Sequence, residues 1–105
     1  MLPRIVEKPD CTLIYSCNNK DHTLGTGFLV SERNKHLILD FKPITPRICI
    51  LRMWGKFLNY STVNGHAPTD IPDVEEKDRF FDALETAYDI SPRNNIKIVL
   101  GKFNA

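Results

Sequence analysis

Two short polar segments follow apolar runs and carry side chains that could contact a phosphate group. The first, residues 64–69, reads Asn-Gly-His-Ala-Pro-Thr, and its histidine is His66. Histidine titrates near neutral pH, so His66 could shuttle a proton or contact a phosphate, although an isolated histidine in a turn is more often structural. The second, residues 101–105, reads Gly-Lys-Phe-Asn-Ala. Its Asn104 could hydrogen-bond a phosphate or a positioned water, but asparagine is also a favoured turn residue.

A strand–helix–strand pattern would bring these two segments together. Residues 56–64 predict a strand, residues 73–88 a helix, and residues 96–100 a buried strand. Such a crossover makes the two strands parallel neighbours with the helix packed on one face. Ligands of these sheets bind beyond the carboxyl ends of the strands. We therefore expect His66 and Asn104 on the same side of the sheet, close enough to share one phosphate.

The helix carries apolar residues at spacings of three and four, which predict the face that packs on the sheet. Phe81, Leu84 and Tyr88 form this stripe, and Phe80 and Ala87 widen it. The acidic residues of the helix mostly cover its polar, solvated face.

The rest of the chain predicts further short strands. Residues 11–16 and 25–30 predict a hairpin, and residues 35–41 and 47–53 predict two more strands. Residues 1–10 are expected to be irregular because they contain two prolines, and a further proline pair is expected to break the chain after residue 41. The predicted fold class is α/β, with one mixed sheet of about five strands and one main helix.

Composition places the chain among ordinary globular domains. The 105 residues carry a formal net charge of +1, which is no electrostatic footprint for nucleic acid. Three cysteines, Cys11, Cys17 and Cys49, match no zinc pattern. Reduced, partly buried thiols are the simplest interpretation, and a disulfide or a metal remains the alternative. We expect an intracellular protein, nuclear or cytoplasmic and without a membrane partner, because no secretory signal or apolar stretch of about 20 residues is present.

Three segments together resemble the endonuclease/exonuclease/phosphatase superfamily, whose fold is the DNase I-like fold. They are residues 25–30 (Gly-Thr-Gly-Phe-Leu-Val), residues 64–69 and residues 96–105. The strongest likeness is to the endonuclease–reverse transcriptase proteins of non-LTR retrotransposons, many of them labelled craniofacial development protein 2-like. The charged segment 75–81 and residues 91–95 also look like that subgroup. The resemblance covers nearly the whole chain from about Cys11.

The resemblance implies a four-layer α/β sandwich and magnesium-dependent hydrolysis of DNA phosphodiester bonds. In the family, an aspartate of the closing Gly-Asp-Phe-Asn motif orients or activates water, the asparagine contacts the phosphate, and a histidine or tyrosine before Ala-Pro stabilises developing charge. Only His66 and Asn104 match these catalytic positions, because Lys102 occupies the aspartate position. The metal-binding glutamate and the closing Asp-His pair of the family match no position in this chain.

We therefore interpret residues 11–105 as the middle portion of such a domain, following an irregular segment 1–10. We expect the chain to be catalytically incompetent by itself, to need no cofactor, and to bind DNA weakly or not at all. The alternatives are a non-catalytic protein-interaction remnant or a truncated reading frame with no selected role. Because little more than one sheet is expected, the apolar faces of Ile48, Ile50, Phe57 and Val63 would lack a cover, which favours self-association.

Overall fold

Residues 2–17, 24–68 and 74–103 are described by a computed structural model. The first part of the chain forms a three-stranded antiparallel sheet of β1 (Leu2–Glu7), β2 (Cys11–Cys17) and β3 (Leu24–Ser31), in that order. The predicted β2–β3 pairing is confirmed. The register shifts beside Tyr15, opposite the glycines of β3, where a Cβ on Gly27 would lie 2.4 Å from the Ile14 carbonyl oxygen.

The expectation of an irregular N-terminal segment was wrong. β1 pairs with β2 along its whole length, and Pro3 lies opposite Ser16. β1 is an edge strand, and an edge strand tolerates a proline because its outward-facing N–H is not needed for pairing.

The second sheet has four strands in the order β4 (Ile38–Thr45), β5 (Ile48–Met53), β6 (Tyr60–His66) and β7 (Ile96–Lys102). β4, β5 and β6 are antiparallel neighbours, whereas β6 and β7 are parallel. A short 3-10 helix, Glu32–Leu37, connects β3 to β4.

Two predicted strand boundaries in this sheet were wrong. The strand expected at 35–41 begins only at Ile38 and runs through Pro43, which β4 accommodates as an edge strand. The strand expected at 56–64 begins at Tyr60, because residues 54–59 form a loop. Within that loop the Gly55 N–H donates to the Asn59 side-chain oxygen at 3.1 Å.

A long helix, α1 (Val74–Ile90), crosses one face of the four-stranded sheet. Its buried residues are Phe80 and Ala87, whereas Phe81 and Tyr88 of the predicted stripe are 40% and 44% exposed. Ala83 and Leu84 pack beside the buried pair. The packed face is therefore rotated by about one residue from the predicted one, since both faces offer apolar residues at helical spacing.

Two apolar clusters lie on opposite sides of the four-stranded sheet. The cluster under α1 consists of Ile48, Ile50, Val63, Ala67, Phe80 and Ala87. The cluster between the two sheets consists of Ile14, Val30 and Leu51, flanked by Phe28, Ile38, Phe41 and Met53. The described residues thus form three layers: a three-stranded sheet, a four-stranded sheet and a helix.

This architecture confirms the α/β class with one main helix and is compatible with a partial α/β sandwich. The strands are divided between two sheets, instead of the one mixed sheet expected, because β2 and β3 bury their inner face against β5. The expectation that the apolar faces of these strands lack a cover was also wrong. Ile48 and Val63 are fully buried beneath α1, and Phe57, 88% exposed, lies in the loop 54–59 rather than in the sheet. Within the described ranges, no helix is long and apolar enough to cross a membrane.

Candidate functional site

The predicted crossover positions the candidate site. β6 and β7 are parallel neighbours in a continuous register from the Tyr60–Ile96 pair to the His66–Lys102 pair, and α1 connects them. The carboxyl ends of both strands therefore open on the same edge of the sheet. Ligands of such sheets bind at this edge.

A pair of glycines brings the two strand ends close together. Gly65 and Gly101 are register partners, and Gly101 has φ +141°, which L-residues with a side chain rarely adopt. A Cβ on Gly101 would lie 1.7 Å from the Gly65 carbonyl oxygen. A Cβ on Gly65 would lie 3.2 Å from the Leu84 side chain of α1. The glycines thus let β7 and the helix approach the end of β6.

His66 and Lys102 lie side by side at this edge, and both are exposed. Their backbones are fixed: the His66 N–H donates to the Arg47 carbonyl oxygen at 2.9 Å, and the Ala67 N–H donates to the Lys102 carbonyl oxygen at 2.8 Å. Asn104 lies outside the described residues. Its expected approach to His66 therefore stays a prediction.

Arg47 is a third basic residue at the edge, and it was not among the predicted site residues. It directly precedes β5, whose antiparallel partner β6 ends at His66. Its Nη1 donates to the His66 carbonyl oxygen at 3.4 Å, and its Nη2 lies 3.9 Å from a carboxylate oxygen of Glu76. No sequence motif signals this role, because it depends on the β5–β6 register.

A pocket of about 370 Å³ opens beside Arg47, between the β4–β5 turn and α1. Phe80 and Ala83 contribute apolar surface, and Arg47, Arg79 and Glu76 contribute charge. The basic edge at His66 thus continues into a concave surface with two guanidinium groups and one carboxylate.

The described side chains at this edge do not fit magnesium. Magnesium prefers oxygen ligands, chiefly carboxylates and phosphates, whereas this edge offers an imidazole, an ammonium and a guanidinium. Its nearby carboxylate, Glu76, already lies against Arg47. In the part of the chain that the structure describes, no cluster of three histidine, cysteine or acidic residues could hold a metal.

Cys11 and Cys49 are free thiols, which agrees with the simplest interpretation of the sequence. Cys11 is half-buried and Cys49 is buried in β5. Burial raises the pKa of the Cys49 thiol to about 11, which keeps it neutral and unreactive near neutral pH. Cys49 is therefore part of the packing between the sheets and not a candidate nucleophile.

Comparison with known proteins finds similarity to craniofacial development protein 2. The chain is 26% identical over 93 residues to that protein from Bos taurus and 27% identical over 93 residues to that from Tragulus javanicus. Each alignment covers 88% of this chain but only 16% of the relative, so the chain spans about one sixth of the relatives' length. No family model matches, and no solved structure matches. The similarity confirms the part of the sequence-based resemblance that names craniofacial development protein 2.

Proposed function

We propose that the chain is the middle portion of a DNase I-like, magnesium-dependent DNA endonuclease domain of retrotransposon origin, and that by itself it contacts DNA phosphates without cleaving them. The observation that supports this most directly is the register pair His66–Lys102 at the carboxyl edge of the β6–α1–β7 crossover. It brings together the two described residues that match the family's histidine and aspartate positions.

Lys102 is one physical reason why we expect no turnover, beside the missing metal-binding carboxylate. General-base or water-positioning catalysis contributes about 10²–10⁴ in rate, and an ammonium group cannot supply it. Two unit positive charges 4 Å apart repel by about 1–4 kcal/mol at effective dielectric constants between about 80 and 20, and a divalent cation doubles this. A lysine still binds a phosphate as a point charge.

Nicking of supercoiled plasmid tests the catalytic part of the proposal. We expect no magnesium-dependent conversion to open circles by the purified chain. Lys102→Asp should not restore cleavage, because the variant still lacks a residue at the position of the family's metal-binding glutamate. Cleavage that persists through purification and is lost both with chelator and in His66→Ala would overturn this part.

Binding to a short DNA duplex, measured by fluorescence anisotropy at several salt concentrations, tests the phosphate contact. We expect weak binding whose affinity falls with salt, and Lys102→Ala should reduce the salt slope by about 0.9 if Lys102 neutralises one phosphate. The matched control is Lys56→Ala, which removes the same charge from the loop 54–59 at the opposite end of β6. Equal effects of the two variants, or no binding at all, would contradict the assigned site.

The alternatives, a protein-interaction remnant or a chain with no selected role, stay predictions. The exposed apolar strand β7 is the feature that bears on the first of them.

A further inference from the structure

β7 is an edge strand without the prolines and register irregularities found in the edge strands β1 and β4. In the four-stranded sheet, the opposite edge β4 contains Pro43 and two register irregularities, and β1 at the edge of the other sheet contains Pro3. Prolines, irregularities and charges oppose the pairing of an edge strand with another chain. Of these, β7 carries only charges, Lys97 and Lys102, and its register with β6 is continuous. In β7 the apolar residues are Ile96, Ile98, Val99 and Leu100, each 40–42% exposed. The strand was expected to be buried, so this exposure is a correction.

Two hydrogen bonds show which backbone groups of β7 point outward. The Ile96 N–H donates to the Asn59 carbonyl oxygen just before β6, and the Lys102 carbonyl oxygen accepts from the Ala67 N–H just after β6, both at 2.8 Å. Residues at even positions of β7 therefore direct their backbone groups toward β6. Because these groups alternate along a strand, those of Lys97, Val99 and Gly101 point away from the sheet.

We propose that β7 pairs antiparallel with β7 of a second copy of this chain, about a two-fold axis at Val99. In this register Val99 lies opposite Val99 of the second copy, and Lys97 and Gly101 lie opposite each other. These are the residues whose backbone groups point outward, so they form the hydrogen-bonded pairs of an antiparallel ladder. The two four-stranded sheets then become one continuous sheet.

The apolar side chains of β7 are self-complementary in this register. Ile98 of each copy lies opposite Leu100 of the other, on the face toward the three-stranded sheet. Asn64 is the register partner of Leu100, so the two side chains lie on the same face of the sheet. The Asn64 side-chain amide donates to the carbonyl oxygen of Gly27 in β3 at 2.9 Å, which shows that this face is the one toward the three-stranded sheet. Apolar cross-strand pairs of this kind stabilise a sheet by about 0.2–1 kcal/mol each.

The charges of β7 do not oppose the pairing. Lys97 faces Gly101 of the second copy, which has no side chain. The Lys97 ammonium is directed toward α1, where it donates to the Tyr88 carbonyl oxygen at 2.9 Å and lies 4.4 Å from the Tyr88 ring centre. The two Lys97 residues stand four positions apart along the ladder, about 13 Å, which exceeds the Debye length of about 8 Å at physiological salt. Lys102, the other lysine of β7, lies opposite Ile96 of the second copy and one position from that copy's Lys97. Successive side chains of a strand point to opposite faces, so these two ammonium groups stand on different faces of the ladder.

Sedimentation velocity from micromolar to hundreds of micromolar protein tests the association. We expect a reversible dimer, and Ile98→Lys should weaken it at least about tenfold because it introduces a charge into the ladder. Leu29→Lys is the matched control, since Leu29 is an apolar residue on β3 and is 68% exposed. A monomer at the highest concentration would overturn the proposal. A dimer weakened equally by both variants would also overturn it.

Disulfide trapping under mild oxidation tests the register. In Val99→Cys the two new cysteines are directly opposed with Cα atoms about 5.5 Å apart, within the range that a disulfide spans. In Ile96→Cys they are six positions apart, about 20 Å. We expect efficient cross-linking of the first variant only, above the background of the unsubstituted chain, which has its own cysteines. Efficient trapping of the second variant, or of neither, would overturn the proposed register.

Discussion

At the scale of single residues, Gly101 has a backbone conformation that residues with a side chain rarely adopt. Its φ of +141° is unfavourable for any residue with a Cβ, and that Cβ would meet the Gly65 carbonyl oxygen. We expect Gly101→Ala to lower the free energy of unfolding by more than about 1 kcal/mol. Urea denaturation followed by circular dichroism measures it.

The neighbouring Lys102→Ala is the control, because Lys102 is exposed and its substitution should change stability by less than about 0.5 kcal/mol. Equal stability of Gly101→Ala and the parent chain would show that the strand ends do not close in the way described.

At the scale of elements, a buried hydrogen bond joins the start of β6 to the turn before β7. The Ser61 hydroxyl donates to the Asn95 side-chain oxygen at 2.8 Å, and both side chains are buried. We expect Ser61→Ala to cost about 1–3 kcal/mol, since it leaves a buried acceptor without its donor. Thermal or urea unfolding of the variant measures the loss.

A double-mutant cycle with Asn95→Ala isolates the pair. Coupling of at least about 0.5 kcal/mol is expected for two residues in direct contact. Strictly additive losses would mean that the serine and the asparagine stabilise the crossover independently.

At the scale of the whole molecule, Leu51 connects the two sheets. It lies on β5, is 3% exposed, and packs with Ile14 and Val30 of the other sheet. We expect Leu51→Ala to lower the unfolding free energy by about 2–5 kcal/mol in a single transition, because the cavity affects both sheets at once. Differential scanning calorimetry at fixed protein concentration measures both the loss and the cooperativity.

Leu29→Ala provides the comparison. Leu29 is 68% exposed on β3, so this variant should lose little unfolding free energy. Two separate transitions in the parent chain would contradict a shared core between the sheets. The sequence-based expectation of a partly molten chain also stays a prediction for this experiment.

The sequence by itself determined the β6–α1–β7 crossover and the β2–β3 pairing. A helix with apolar residues at helical spacing between two apolar runs has few ways to pack, and the handedness and length of the connection favour parallel neighbours. The juxtaposition of His66 with Lys102 follows from that topology. These features depend on local periodicity and chain connectivity, and both can be obtained from the sequence.

Only the tertiary structure decided which surfaces are covered. The apolar alternation in β2 and β5 does not indicate that these two strands, in different sheets, pack against each other. The helix has two apolar faces, and the buried one is the face that carries Phe80 and Ala87. The apolar pattern of Ile96–Lys102 is the same for a central strand of a sheet as for an edge strand. Arg47 reaches His66 only through the register of β5 and β6. The physical reason is common to all of these: burial depends on contacts between residues far apart in the chain, and local spacing does not specify the partner.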